Sequence, residues 1–67
     1  MWVLNETNSD VITVAEVREG DIIALEPGHG AKVTEPPTGS RHAGQRVIKR
    51  HGERLDLLAT RTVLRLR

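Results

Sequence analysis

Val14-Ala15-Glu16-Val17-Arg18-Glu19-Gly20-Asp21-Ile22-Ile23-Ala24-Leu25 is the stretch whose reading decides the fold of this chain. It reads as a strand, a polar corner at Glu19-Gly20-Asp21, and a second, nearly continuous apolar strand. Gly20 supplies the positive φ that a sharp reversal requires, and Asp21 has a side chain short enough to hydrogen-bond its own backbone across the turn. Ile22, Ile23 and Leu25 have the composition of a strand buried on at least one side. The rest of the chain is expected to fold back on this strand.

Upstream, Met1 to Leu4 is a short apolar strand. Asn5 to Asp10 is an unbroken polar run of turn formers and hence a loop, and Val11 to Val14 is a β-branched strand. The two strands are expected to pair as a hairpin, with Trp2 as a lid on the core. Downstream, Pro27-Gly28-His29-Gly30 reads as a tight turn and Ala31 to Glu35 as a strand. Pro36 to Gly44 is a nine-residue loop with Arg41 and His42 at its far end. Gln45 to Arg50 is a strand that puts Arg46, Ile48 and Arg50 on one face and Val47 and Lys49 on the other. Arginine stems on an apolar face pack while their heads reach water.

His51 to Arg54 is then a compact turn. Leu55 to Ala59 is a strand with Leu55, Leu57 and Ala59 inward. Thr60 to Thr62 is a brief break of 3₁₀ type, and the last strand, Val63 to Arg67, points Leu64 and Leu66 inward and Arg65 and Arg67 outward. A helix over 53–67 competes through Leu55, Leu58, Thr62 and Leu66. Leu57 and Leu64 fall off that stripe and Thr60 to Val63 is poor helix material, so two strands are preferred. The expected fold is all-β: one small domain over residues 1–67, a barrel or sandwich of five to six short antiparallel strands.

Val14 to Ile23 also resembles the strand-turn-strand opening of SH3-like small barrels, seen in KOW-type domains, the amino-terminal domain of elongation factor P and the Hint domain of self-splicing proteins. The resemblance spans about ten residues and implies an SH3-like barrel. It implies no splicing chemistry, because Met1 and Arg67 stand where a Hint domain needs its nucleophile and its asparagine. It implies no elongation-factor role either, because Gly28-His29-Gly30 lacks the lysine that the factor presents between glycines.

Sixty-seven residues make one domain with a marginal core, and the absence of cysteine removes disulfides and thiolate metal sites. Trp2 is the single aromatic residue, so the core is aliphatic. No run approaches a membrane span, and no signal peptide is visible, which makes the cytoplasm the expected compartment and membranes an unexpected partner. A chain of phage or plasmid origin fits the same description. The charge is split: residues 1–40 hold two basic against seven acidic residues (−5), and residues 41–67 hold eight against two (+6).

That split carries the functional expectation. His29, His42 and His51 fit no zinc spacing, so no metal is expected. No nucleophile elbow, P-loop or dinucleotide fingerprint is present, so neither an enzyme nor a cofactor is expected. The basic residues Arg41, Arg46, Lys49, Arg50, Arg54, Arg61 and Arg65 are mostly arginine, whose planar fork suits phosphate. The expected function is a small non-catalytic module that binds nucleic acid, duplex DNA or structured RNA, through its basic carboxy-terminal half. If Arg46, Arg50 and Arg65 share a face they form a phosphate-tracking stripe. The alternative is a protein-interaction or assembly module: a homo-oligomer, or a component of a larger complex. Basic residues clustered on one face favour the first, and interleaving with Glu16, Glu26 and Glu35 favours the second.

Overall fold

The computed structural model describes all 67 residues, and more than half of them lie in strands. The strands are β1 (Trp2–Leu4), β2 (Ser9–Thr13), β3 (Ile22–Ala24), β4 (Gly28–Lys32), β5 (Thr38–Gly39), β6 (Gln45–Arg50), β7 (Glu53–Leu58) and β8 (Thr62–Leu66). The fold is all-β, as the sequence indicates, with eight short strands in place of five or six. They form a curled five-stranded antiparallel sheet in the order β1-β4-β3-β8-β2, and a three-stranded sheet in the order β5-β6-β7. No helix is long and apolar enough to cross a membrane.

The curl of the larger sheet follows from one short connection. A flat five-stranded sheet separates its edge strands by about 19 Å. The edges here are β1 and β2, joined only by residues 5–8. Fully extended, that link reaches about 17 Å, and it is folded. The Asn5 Oδ1 atom accepts from the Thr7 N–H (2.9 Å), the Asn8 N–H (3.1 Å) and the Thr7 hydroxyl (2.6 Å). Asn8 Nδ2 donates to the Val3 carbonyl at 2.8 Å. The sheet must therefore bend into a half-barrel, and β1 and β2, although joined by so short a link, do not pair as the expected hairpin. β1 pairs with β4 and β2 with β8.

β3 occupies the centre of this sheet, between β4 and β8, as expected for the most apolar strand. The corner before it forms as read: Gly20 has φ +92°, and Asp21 Oδ2 accepts from the Arg18 N–H at 2.9 Å. The arm leading into that corner differs. Val14–Glu16 is a 3₁₀ turn, closed by the Val17 N–H on the Val14 carbonyl at 3.1 Å. A strand would send Val14 and Val17 to opposite faces. In a 3₁₀ turn residues three apart are stacked, and both valines are buried in the same cluster.

Two apolar clusters lie on either side of the curled sheet. Between the sheets, Ile12, Val14, Val17, Ile23, Val33, Ile48 and Val63 pack with Leu25, Leu55 and Leu57. On the other face, Leu4, Ala24 and Leu64 pack with Ile22 and Leu66. β8 therefore feeds both sides. Leu64 and Leu66 point into the smaller cluster, whereas Val63 and Arg65, the latter expected outward, face the layer between the sheets. Val33 is the corner between the sheets. Its N–H and C=O pair with Asp21 and Gly20 (2.7 and 2.9 Å), it bridges Arg50, and it is fully buried.

Several turns sit elsewhere than the sequence suggests. Pro27-Gly28-His29-Gly30 is not a turn, because β4 begins at Gly28. Gly30 lies in mid-strand, where a Cβ would meet the Leu4 side chain and come within 3.2 Å of Ile22 Cγ2. The 36–44 loop contains β5, which pairs Thr38 with Val47. The brief break expected over 60–62 lies about two residues earlier: the Arg61 N–H bonds the Leu58 carbonyl at 3.0 Å, a single i to i+3 turn, and β8 starts at Thr62. No helix forms over 53–67.

The β6–β7 hairpin turns on His51 and Gly52 alone, flanked by the Arg50–Glu53 pair, with Glu53 and Arg54 already in strand. Both turn residues have positive φ, +45° and +79°, the signature of a type I′ turn. Asparagine tolerates that first position better than histidine. His51→Asn is expected to raise stability by about 0.5 kcal/mol, a shift of a few degrees in melting temperature readable by calorimetry.

Candidate nucleic-acid interface

The β6–β7 hairpin carries four of the seven basic residues singled out by sequence, and its two faces use them differently. On the inward face Ile48, Leu55 and Leu57 enter the core, and Arg46 and Arg50 share that face by alternation. Both arginines are half-buried. Arg46 Nη2 donates to the Pro37 carbonyl at 3.4 Å, and Arg50 Nη1 donates to the Ile23 carbonyl at 3.0 Å. The Nε atoms of both are buried without a partner in the protein. Arg65 lies opposite both Ile23 and Asp10 and alternates with the buried Val63, so it too faces the inter-sheet layer and is half-buried. The three arginines share a side, but it is an interior side, and carbonyls take up part of the donors of Arg46 and Arg50. They do not make an open stripe.

On the outward face Lys49 and Arg54 are both exposed and stand directly opposite each other across the strands. Like charges in that position repel. Lys49 has one acidic neighbour, Glu35, at 3.5 Å, and that pair is exposed on both sides. Asp56, the next outward residue along β7, accepts a 2.6 Å bond from the Ser40 hydroxyl. Arg54 has no salt-bridge partner, while Arg67 is matched with Asp10 at 3.5 Å. Arg41 is exposed between β5 and β6, and Arg61 is half-buried in the turn before β8. The seven residues are thus divided: Lys49 and Arg54 form an exposed cationic pair, Arg46, Arg50 and Arg65 line the sheet interface, and Arg41 and Arg61 stand apart.

In the sequence the three histidines fall on three separate expected turns or loops. His29 is in β4, and it comes together with His51 at the hairpin tip around a cleft of about 440 Å³, which Trp2, Ala31, Arg50 and Glu53 also line. His42 is not among its walls. Pairing does this: β1 lies on β4 with Trp2 opposite Gly30, and the Val33–Arg50 bridge brings the end of β6 alongside. No spacing in the sequence signals it, because residues 2, 29 and 51 belong to three elements that meet only through the sheets. No group of three or more His, Cys, Asp or Glu side chains is placed to hold a metal ion.

No family model matches the chain. No curated protein matches it, and no solved structure does.

Proposed function

We propose that this protein is a non-catalytic binding module that grips nucleic acid, duplex DNA or structured RNA, by its phosphate backbone on the outer face of the β6–β7 hairpin. The observation that carries this reading is the exposed Lys49–Arg54 pair. Two cations directly across a ladder destabilise the free protein and gain when a phosphate sits between them. A six-residue antiparallel ribbon also has the cross-section that a major groove admits. The SH3-like resemblance of Val14 to Ile23 belongs to the same proposal.

The test is the salt dependence of binding to a labelled mixed-sequence duplex and an RNA hairpin. Replacing Lys49 and Arg54 together by alanine is expected to reduce the log–log salt slope by nearly two, about 0.9 per phosphate contact on duplex DNA. Undetectable binding of the native protein at low salt, or an unchanged slope in the double variant, defeats the reading.

A second reading has its own observation. The outer edge of β1 is unpaired, and Val3 on it and Met1 just before it are 60% and 94% exposed. An apolar free edge is a template for strand addition by a partner sheet. A concentration-dependent mass by light scattering, abolished by Val3→Lys, is the result that favours assembly.

A further inference from the structure

The cleft bounded by Trp2, His29, Arg50 and His51 has a composition that the hairpin's outer face lacks. It joins the only tryptophan in a chain without phenylalanine or tyrosine to a guanidinium and two imidazoles. Trp2 is 39% exposed, so it offers ring surface to solvent. Arg50 is held in place by its Nη1 bond to the Ile23 carbonyl, and its Nη2 makes no hydrogen bond within the chain. A tethered guanidinium with a free donor has already given up the freedom that ligand binding would otherwise remove. Glu53, the cross-strand neighbour of Arg50, adds one carboxylate acceptor to the same wall.

We propose that this cleft binds a single nucleotide unit, with the base stacked on Trp2 and the phosphate held by Arg50 together with His29 and His51. Each group matches one part of that ligand. The indole face takes any base, since every base has a π-face. The guanidinium and imidazole N–H groups donate to phosphate oxygens. Glu53 accepts from sugar hydroxyls or an exocyclic amine. A volume of about 440 Å³ lies in the range of small-ligand sites. The unit is either a free nucleotide or an unpaired nucleotide in a strand, since both present the same base and phosphate. The strand-borne form deepens the nucleic-acid reading and rests on it. The free form does not.

The chain supplies its own probe. Trp2 is the only tryptophan and there is no tyrosine, so intrinsic fluorescence reports this cleft alone. Full-length protein is titrated with adenosine 5′-monophosphate, with adenosine plus inorganic phosphate, and with a short unstructured oligonucleotide. The expected result is saturable quenching by the monophosphate that the separated pieces do not reproduce. Arg50→Lys is expected to weaken it about tenfold, because one ammonium cannot both keep the tether to the Ile23 carbonyl and present the donors of Nη2 to phosphate, and His51→Asn about threefold. The second variant sits in a turn that favours asparagine, so it keeps the test open whatever the first does to folding. An oligonucleotide that binds at least about tenfold tighter than the monophosphate identifies a strand-borne unit, and equal affinity identifies a free nucleotide. No saturable quenching by either ligand overturns the inference, as does quenching that both variants leave unchanged. Duplex binding through Lys49 and Arg54 is scored separately, by anisotropy, so either reading fails without the other.

Discussion

Ile23→Ala is expected to leave this protein largely unfolded at physiological temperature. Ile23 is fully buried at the centre of the five-stranded sheet, with its side chain in the cluster between the sheets. Its carbonyl also receives the Arg50 guanidinium from the other sheet. Truncating a buried isoleucine costs about 2–5 kcal/mol, because neighbours collapse only partly into the space left. A domain of this size that has no disulfide is stabilised by about 3–5 kcal/mol in total. The loss is of the same order as the whole. Far-ultraviolet circular dichroism with urea titration reads the outcome. A midpoint within experimental error of the native protein contradicts the assignment of Ile23 to the core. Val11→Ala is the control: Val11 is 68% exposed on an edge strand, and its loss is expected to stay within about 0.5 kcal/mol.

The second large effect is a coupling. Leu4 is fully buried in the smaller cluster, on the face away from the three-stranded sheet, and its side chain occupies the space above Gly30. Leu4→Ala alone is expected to cost about 2–5 kcal/mol. Gly30→Ala alone forces a methyl group against Leu4 and toward Ile22 and is expected to cost about 1–3 kcal/mol. In the double variant the new methyl enters space that the leucine has vacated. The combined loss is therefore expected to fall short of the sum of the two by at least about 1 kcal/mol. Denaturant melts of the four proteins in the cycle measure this directly. Strict additivity shows that Leu4 does not pack on Gly30, and with it falls the closure of β1 over the concave side of the sheet.

Several features are legible in the residues themselves because they are local. β6 runs over Gln45–Arg50 as read, since β-branched Val47 and Ile48 sit between a glycine-containing loop and a glycine turn. The Gly20-Asp21 corner follows from one residue free to take positive φ and one side chain able to reach its own backbone. The half-buried state of Arg46 and Arg50 follows from sharing a face with Ile48. The misreadings have an equally physical origin. Val14 to Val17 has β-branched composition, but spacing by three stacks the two valines and wins over propensity. Gly28 and Gly30 look like turn glycines, whereas Gly30 serves to admit Leu4. A glycine required by a neighbour's bulk and one required by a dihedral angle are the same letter.

From its residues alone the chain determines an all-β domain with an aliphatic core, the position of its central strand and the basic character of its carboxy-terminal half. These follow from composition, from alternation and from turn chemistry, all of which act within a few residues. Which strands meet was decided only in three dimensions. β1 finds β4 across 23 intervening residues, and β2 finds β8 across 48. Main-chain hydrogen bonds are the same whichever side chains they join, so strand pairing leaves little local signature. The selection comes from burying Leu4 and Val33 while closing the sheet through a four-residue link. The same pairings turn some arginines toward carbonyls inside the molecule, leave Lys49 and Arg54 facing each other outside it, and gather Trp2, His29, Arg50 and His51 around one cleft.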